Sequence, residues 1–360
     1  MTRCFPKKNS FDFIRYFATV SIMILHFTGY AYITMENADF GAINAIRGVA
    51  TFFPGVVIFF VMSGFLVTAS MEKAKDKKSF LKKRFWRIYP ELWICMLVGL
   101  VSVIIVLRGI KWMDKSMLVW LLAQGIGIAN TPNCLKQFAT GSMNGALWTI
   151  IVQVQFYVFL ALAYEKIKKM SFKTWLLIII PIGIAMNILS NIVSTGNEFA
   201  QKVLERTLVP YFLWFAIGMF MYIFWDDISK YSLKLILSLA AIYVLLYVGA
   251  MKITVVDRIF NFGYYAGVVR ALLCGLIVVL LGAGVGFLPK FRAKYDISYE
   301  MFLFHWIVLN VLVYFDLYNR IGWIWSLIIL FVGTVLLASV CHFAMELIKK
   351  HVGKRSNSGV

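Results

Sequence analysis

Ten runs of roughly twenty apolar residues, separated by short loops rich in Lys and Arg, leave this 360-residue chain little choice of surroundings. A helix rises about 1.5 Å per residue, so such a run matches the roughly 30 Å hydrocarbon core of a bilayer. The runs fall at approximately 11–33, 46–71, 88–108, 147–166, 174–194, 208–226, 232–251, 262–288, 299–317 and 322–348. At 61% hydrophobic and 15% charged, the chain is too apolar for a soluble globular domain. The expected fold class is therefore all-α: a polytopic membrane protein with about ten transmembrane helices. A further apolar piece, Ser116–Ala129, is too short to span comfortably and is expected to be re-entrant or interfacial.

Loop charge orients the expected spans. With ten of them, the N-terminal side of the membrane collects 24 of the 36 basic residues, the opposite side 10, and Arg15 and Arg270 lie within spans. Basic loops stay on the cytoplasmic side, which places both termini there. The net charge of +19 thus reads as topology and contact with membrane lipid, and with no nucleic-acid module in sight no nucleic-acid partner is expected. Five scattered cysteines and four scattered histidines show no ligand spacing, so no metal is expected. The first run is too long for a signal-peptide core and carries Arg15, so it is expected to remain as a span. One membrane domain is expected over 1–350, followed by a short basic, disordered cytoplasmic tail at 351–360; a homo-oligomer is compatible with all of this.

The polar residues inside these runs carry what chemistry there is. Arg15 and His26 are eleven apart, about three helical turns, and so share a face some 16 Å along the axis. An arginine and a histidine aligned on one face would be costly against lipid and should face protein or a wet cavity, although Arg15 alone could snorkel to the headgroups. Ser63 and Gly64 interrupt the second run, where small residues permit close helix packing. Lys82, Lys83, Arg84 and Arg87 sit at the cytoplasmic edge of the third run. Two readings stand side by side there: topology and anionic lipid, or guanidinium forks on phosphate, because Arg84 and Arg87 share a face. Trp148 occupies an interfacial position, while Gln153, Gln155 and Tyr157 bring hydrogen-bonding groups into the membrane. Arg270 could line a cavity from the outer side. Ser298 and His305 are about two turns apart on one face, and Glu346 lies beside Lys349 and Lys350, where a salt bridge is expected.

In this order the segments resemble a known family. Arg15 with His26 resembles the R-x10-H signature in the first span of the acyltransferase family 3 membrane enzymes, which O-acylate bacterial surface polysaccharides. FFVMSGFLVT, KRFWRIYP from Lys83 to Pro90, LWTIIVQVQFY and ISYEMFLFHW resemble four further elements, and FAMELIKK more weakly a closing one. The resemblance runs from residue 11 to about 350. Two positions depart from it: Gln153 stands where the family usually has Glu, which removes an acid or base, and Phe302 lacks the usual tyrosine hydroxyl.

The resemblance implies an acetyl-CoA-dependent O-acetyltransferase of the bacterial plasma membrane. It would move an acyl group from a cytoplasmic acyl-CoA co-substrate to a hydroxyl of an exopolysaccharide, capsule or lipid-linked glycan. On that reading His26 is the general base, Arg15 binds donor phosphates or the oxyanion, and Lys83, Arg84 and Arg87 hold coenzyme A. His305 and Ser298 orient the acyl group or act as a second acid/base. Trp148, Gln153, Tyr157, Arg270 and Glu346 serve substrate or structure. A transporter of a glycan or small solute is the alternative, its path lined by the same intramembrane Arg and His residues, and a weakened relative acting as a scaffold is a third reading that rests on Gln153 alone.

Overall fold

The computed structural model describes residues 9–35, 40–283, 288 and 295–357, without the side chains of 349–357. Every regular element among the described residues is helical, and a helix stands at each of the ten expected runs. Six are labelled here: α1 Phe11–Thr34, α2 Gly41–Phe52, α3 Gly55–Glu72, α4 Lys77–Val106, α5 Ser116–Gly125 and α6 Trp148–Ile167. Seven helices among the described residues are long and apolar enough to cross a membrane, α2 and α3 counting together. An eighth arises if Glu198–Leu204 and Val209–Ile223, bent by 65°, form one span. Among the described residues the runs expected at 262–288 and 299–317 hold the helices Val268–Ala283 and Ser298–Tyr314, and 284–287 lie outside those residues. The protein is a multi-pass membrane protein of all-α class.

At 10 residues α5 is only about 15 Å long and cannot span alone, in keeping with its sequence. The final helix is Trp323–Asn357, and 358–360 lie outside the described residues. Arg3, Lys7, Lys8, Lys290, Arg292 and Lys294, which entered the loop-charge argument, also lie outside them.

The chain divides into two compact units, one drawn from 1–22, 48–82 and 152–294, the other from 23–47, 83–151 and 295–360. In the first, α3 packs along the helix Phe212–Ile223, every residue of which is buried. Gly64 and Gly218 meet there: a Cβ on Gly64 would lie 2.3 Å from the Phe215 carbonyl oxygen, and one on Gly218 2.1 Å from that of Val61. Lipid tails are as apolar as leucine, so helix association in a membrane depends on backbones approaching this closely. The expected packing role of Gly64 is what the structure shows.

Pro54 breaks the run between α2 and α3, and its missing N–H, with the turn around it, strips the last α2 carbonyls of helical partners. Arg270 and Tyr243 supply them. Arg270 Nη2 donates to the Thr51 carbonyl oxygen and contacts that of Phe52, while the Tyr243 hydroxyl donates to Phe52. Its Nη1 donates to Asn261 Oδ1 at 3.1 Å, and the guanidinium lies over the rings of Tyr247 and Phe260 at 5.6 and 5.8 Å. Arg270 thus closes a helix break. Arg270→Met should lower stability by about 2–3 kcal/mol, through lost charge-assisted hydrogen bonds, as read from thermal unfolding in detergent. A melting temperature equal to wild type would contradict that role.

Candidate active site

The helix Ser298–Tyr314 opens on a turn closed by Asp296, whose Oδ1 accepts from the Ser298 amide at 3.2 Å and its hydroxyl at 2.5 Å. About two turns on comes His305, with 0% of its surface exposed. Its Nδ1 is 2.8 Å from the Phe302 carbonyl oxygen. A carbonyl only accepts, so Nδ1 carries the hydrogen and, in the neutral ring, Nε2 is an acceptor.

His26 on α1 completes a line. Its Nδ1 lies 2.9 Å from His305 Nε2, with the two rings nearly parallel at 5°. His26 Nδ1–H is therefore the donor, and the neutral His26 ring keeps its free lone pair on Nε2. Unlike His305, His26 is only half-buried. The arrangement is a half-buried imidazole held by a buried one, itself fixed by a backbone carbonyl.

Trp306 walls the pair, its ring meeting that of His26 edge-on at 4.7 Å. The indole N–H donates to Thr140 Oγ1 at 3.0 Å, and Asn310 on the same helix grips the same loop. Asn310 Nδ2 donates to the carbonyls of Ser142 and Met143 at 3.0 and 3.2 Å, and its Oδ1 accepts from the Thr140 hydroxyl at 2.6 Å. Gly145 is required beneath the indole, because a Cβ there would stand 2.5 Å from the Trp306 ring. Asn144 donates to the Leu303 carbonyl at 2.8 Å and caps the turn that leads into α6.

Arg47 on α2 is a further cation beside His26. Its Nη1 donates to the Leu25 carbonyl at 3.1 Å and the Thr28 hydroxyl at 2.9 Å, so it brackets the α1 turn that carries His26. In the sequence Arg47 is one basic residue at the edge of an apolar run and reads as topology. Asn310 and Asn144 are likewise absent from the sequence-based candidates, although an amide inside an apolar run was a visible signal for Asn310.

The remaining candidates are dispersed. Arg15, on the earlier part of α1, is 3.3 Å from Asp12, a neighbour that the eleven-residue spacing argument did not include. On α4, Arg87 reaches Asp296 at 3.8 Å and lies over the Tyr299 ring at 5.5 Å, which brings it to the turn that holds Ser298. Lys83 is exposed and Arg84 half-buried. Seven residues put Ser298 about 10 Å along the helix from His305, so the structure joins it to Asp296 and Arg87 and not to the histidine pair. Trp148 begins α6 and is half-buried. Gln153 Nε2 donates to Ser63 Oγ at 2.7 Å, and Tyr157 is buried against Phe80. Glu346 lies 3.9 Å from His342 Nε2, while His342 Nδ1 is 2.9 Å from the buried Glu300. The Lys349 and Lys350 side chains expected to pair with Glu346 lie outside the described residues.

Residues 8–343 match the acyltransferase domain of the Acyl_transf_3 family. Nodulation protein 10 of Rhizobium leguminosarum bv. viciae is 27% identical over 355 residues, covering 94% of this chain and 92% of that protein. A Staphylococcus aureus (strain COL) protein named "Putative O-acetyltransferase" is 28% identical over 183 residues, which is 45% of this chain and 30% of that protein. No solved structure matches. A helical membrane chain matched to one domain family over nearly its whole length is accounted for in a single way: it belongs to acyltransferase family 3 and is a membrane acyltransferase.

Proposed function

We propose that this enzyme transfers an acyl group, acetyl in the simplest case, from cytoplasmic acyl-CoA to a hydroxyl of an exopolysaccharide, capsule or lipid-linked glycan, in a bacterial plasma membrane. The observation that carries the reading is the line from the Phe302 carbonyl through His305 to His26, a half-buried residue whose tautomer it fixes with the lone pair on Nε2. His26 takes the proton of the acceptor hydroxyl as its oxygen attacks the thioester carbonyl. A carbon–oxygen bond forms, the carbon–sulfur bond breaks, and the proton passes from His26 to the departing thiolate. His305 orients His26 and touches no substrate. Arg47, bonded to the turn around His26, is the cation beside the base for developing negative charge, and Arg15, about 16 Å along α1 from His26, is left the other role, contact with donor phosphates. Lys83, Arg84 and Arg87 hold the phosphates of the donor, by forks in the case of the two arginines.

The test uses purified protein in nanodiscs with radiolabelled acetyl-CoA. Replacing Arg84 and Arg87 together by alanine should weaken donor binding about ten- to a hundredfold, as expected for one or two charge-assisted hydrogen bonds. Absence of acetyl-CoA binding and turnover in the wild-type protein, with glycan acceptors supplied, would overturn the reading in favour of transport.

A further inference from the structure

The chain between α5 and α6 lies at membrane depth without being helical. Its depth is set by the helices it touches. Arg87 lies over the Tyr299 ring, and the Tyr299 hydroxyl donates to the Ile88 carbonyl at 3.2 Å, so the helix Ser298–Tyr314 starts level with the donor end of α4. By the helical rise, Leu303, Trp306, Asn310 and Tyr314 stand about 8, 12, 18 and 24 Å from that level.

α5 descends beside α4 until the carbonyls of Gly125 and Ile126 accept from Trp93 Nε1 at 2.9 Å and the Tyr89 hydroxyl at 3.1 Å, within two turns of Arg87. The chain then climbs back, because the Asn133 amide donates to Ser116 Oγ, at the opposite end of α5, at 2.7 Å. Phe138 packs on Tyr314 at 5.2 Å, Thr140 bonds Trp306 and Asn310, and Asn144 bonds Leu303, so the chain descends a second time. Neither 128–132 nor 136–144 is helical. The two passes are tied side by side: Thr131 Oγ1 donates to Ser142 Oγ at 3.4 Å and accepts from the Met143 amide at 3.4 Å.

Backbone polar groups are costly against hydrocarbon, so irregular chain at this depth is either buried in protein or faces a water-filled cavity. Asn130, Thr131, Thr140 and Ser142 are only half-buried. What they do not bury in protein they show to water. This wet face reaches the base. Tyr30, one turn beyond His26 on α1 and half-buried, donates to the Thr140 carbonyl at 3.1 Å, and its ring meets that of Trp306 edge-on at 6.0 Å.

We propose that the two passes wall a water-filled vestibule, open on the membrane face opposite the donor end of α4, and that the acceptor reaches His26 through it as an uncharged saccharide. Asn130, Thr131, Thr140, Ser142 and Tyr30 offer amides and hydroxyls to sugar hydroxyls, and no charge to pair with a uronate or a phosphate. Lys136, the one charged residue of 126–144, is exposed and lies at the turn between the passes. Donor and acceptor thus approach the base from opposite faces. The proposal rests on the acyltransferase reading and adds to it the acceptor's route and charge.

The test uses the full-length protein with Cys134→Ser, in right-side-out membrane vesicles, and a membrane-impermeant maleimide added outside. A thiol reacts as its thiolate, which needs water. Thr131→Cys and Ser142→Cys should therefore label about tenfold or more faster than Leu118→Cys and Leu122→Cys on the exposed apolar face of α5. Methyl β-glucoside at about 200 mM, far above the millimolar Kd of a weak site, should slow labelling of Ser142→Cys about tenfold or more, and methyl glucuronate should not. Labelling, done after folding, should also stop acyl transfer to supplied glycans while acetyl-CoA binding stays at its unlabelled level. Equal rates at the vestibule and α5 cysteines would overturn the vestibule. Absence of protection by the glucoside, or equal protection by the glucuronate, would overturn the uncharged saccharide, and loss of acetyl-CoA binding on labelling would overturn the separate route. Labelling and protection as expected, in a protein that neither binds nor turns over acetyl-CoA, would leave the saccharide site standing and overturn the enzyme reading alone.

Discussion

His26→Ala should lower acyl transfer by about 10²–10⁴-fold, the range associated with loss of a general base, while acetyl-CoA still binds. The companion substitutions separate base from positioner. His305→Gln leaves a side-chain oxygen able to accept from His26 Nδ1–H, whereas His305→Leu leaves none and frees the tautomer. Activity should therefore fall in the order wild type, His305→Gln, His305→Leu, His26→Ala, with the His305 losses in kcat and little change in donor KM. Equal activity in the Gln and Leu variants would show that His305 serves only to fill space. Full activity in His26→Ala would remove the proposed mechanism.

The largest structural effect is expected at Gly218. Its Cβ would stand 2.1 Å from one backbone oxygen, 2.6 Å from the Phe65 amide nitrogen and 2.8 Å from the Gly64 Cα. All three atoms belong to α3, so relief requires α3 and the helix Phe212–Ile223 to separate along their contact. Gly218→Ala should cost about 3 kcal/mol or more, at or above the upper end of ordinary overpacking, and Gly218→Val should give no monodisperse protein on size exclusion. An alanine variant that melts with wild type would mean that this contact is looser than its geometry.

Helix placement was legible because one physical quantity governs it. A run of about twenty apolar residues has the length of the bilayer core, and a helix stands at every such run. Length was harder to read where the backbone is cut for local reasons. Pro54 splits one run into α2 and α3, and in the run at 262–288 the helix begins only at Val268. At the candidate site, His26 and His305 each stood out as an ionisable group in an apolar run, but their meeting joins residues 279 apart, and no periodicity reports that. Arg270 stood out on the same grounds, yet its partners are backbone carbonyls orphaned at a break, a demand invisible until the break is seen. Arg47 failed in the opposite sense. A cation at the end of a run looks like topology until Leu25 and Thr28 are found beneath it.

The carbonyl at the far end of the histidine line makes it a wire with one terminal. A hydrogen on His305 Nδ1 is held against the Phe302 oxygen, which has nothing to hand onward, so charge entering at His26 can spread to the second ring but leaves only where it came in. In the proposed reaction the proton lost by the sugar is thus the one returned to sulfur, and each turnover is electroneutral within the site. Turnover in sealed vesicles should then be indifferent to the protonmotive force, whereas a transporter drawing current through the same two imidazoles would stall when the gradient is collapsed.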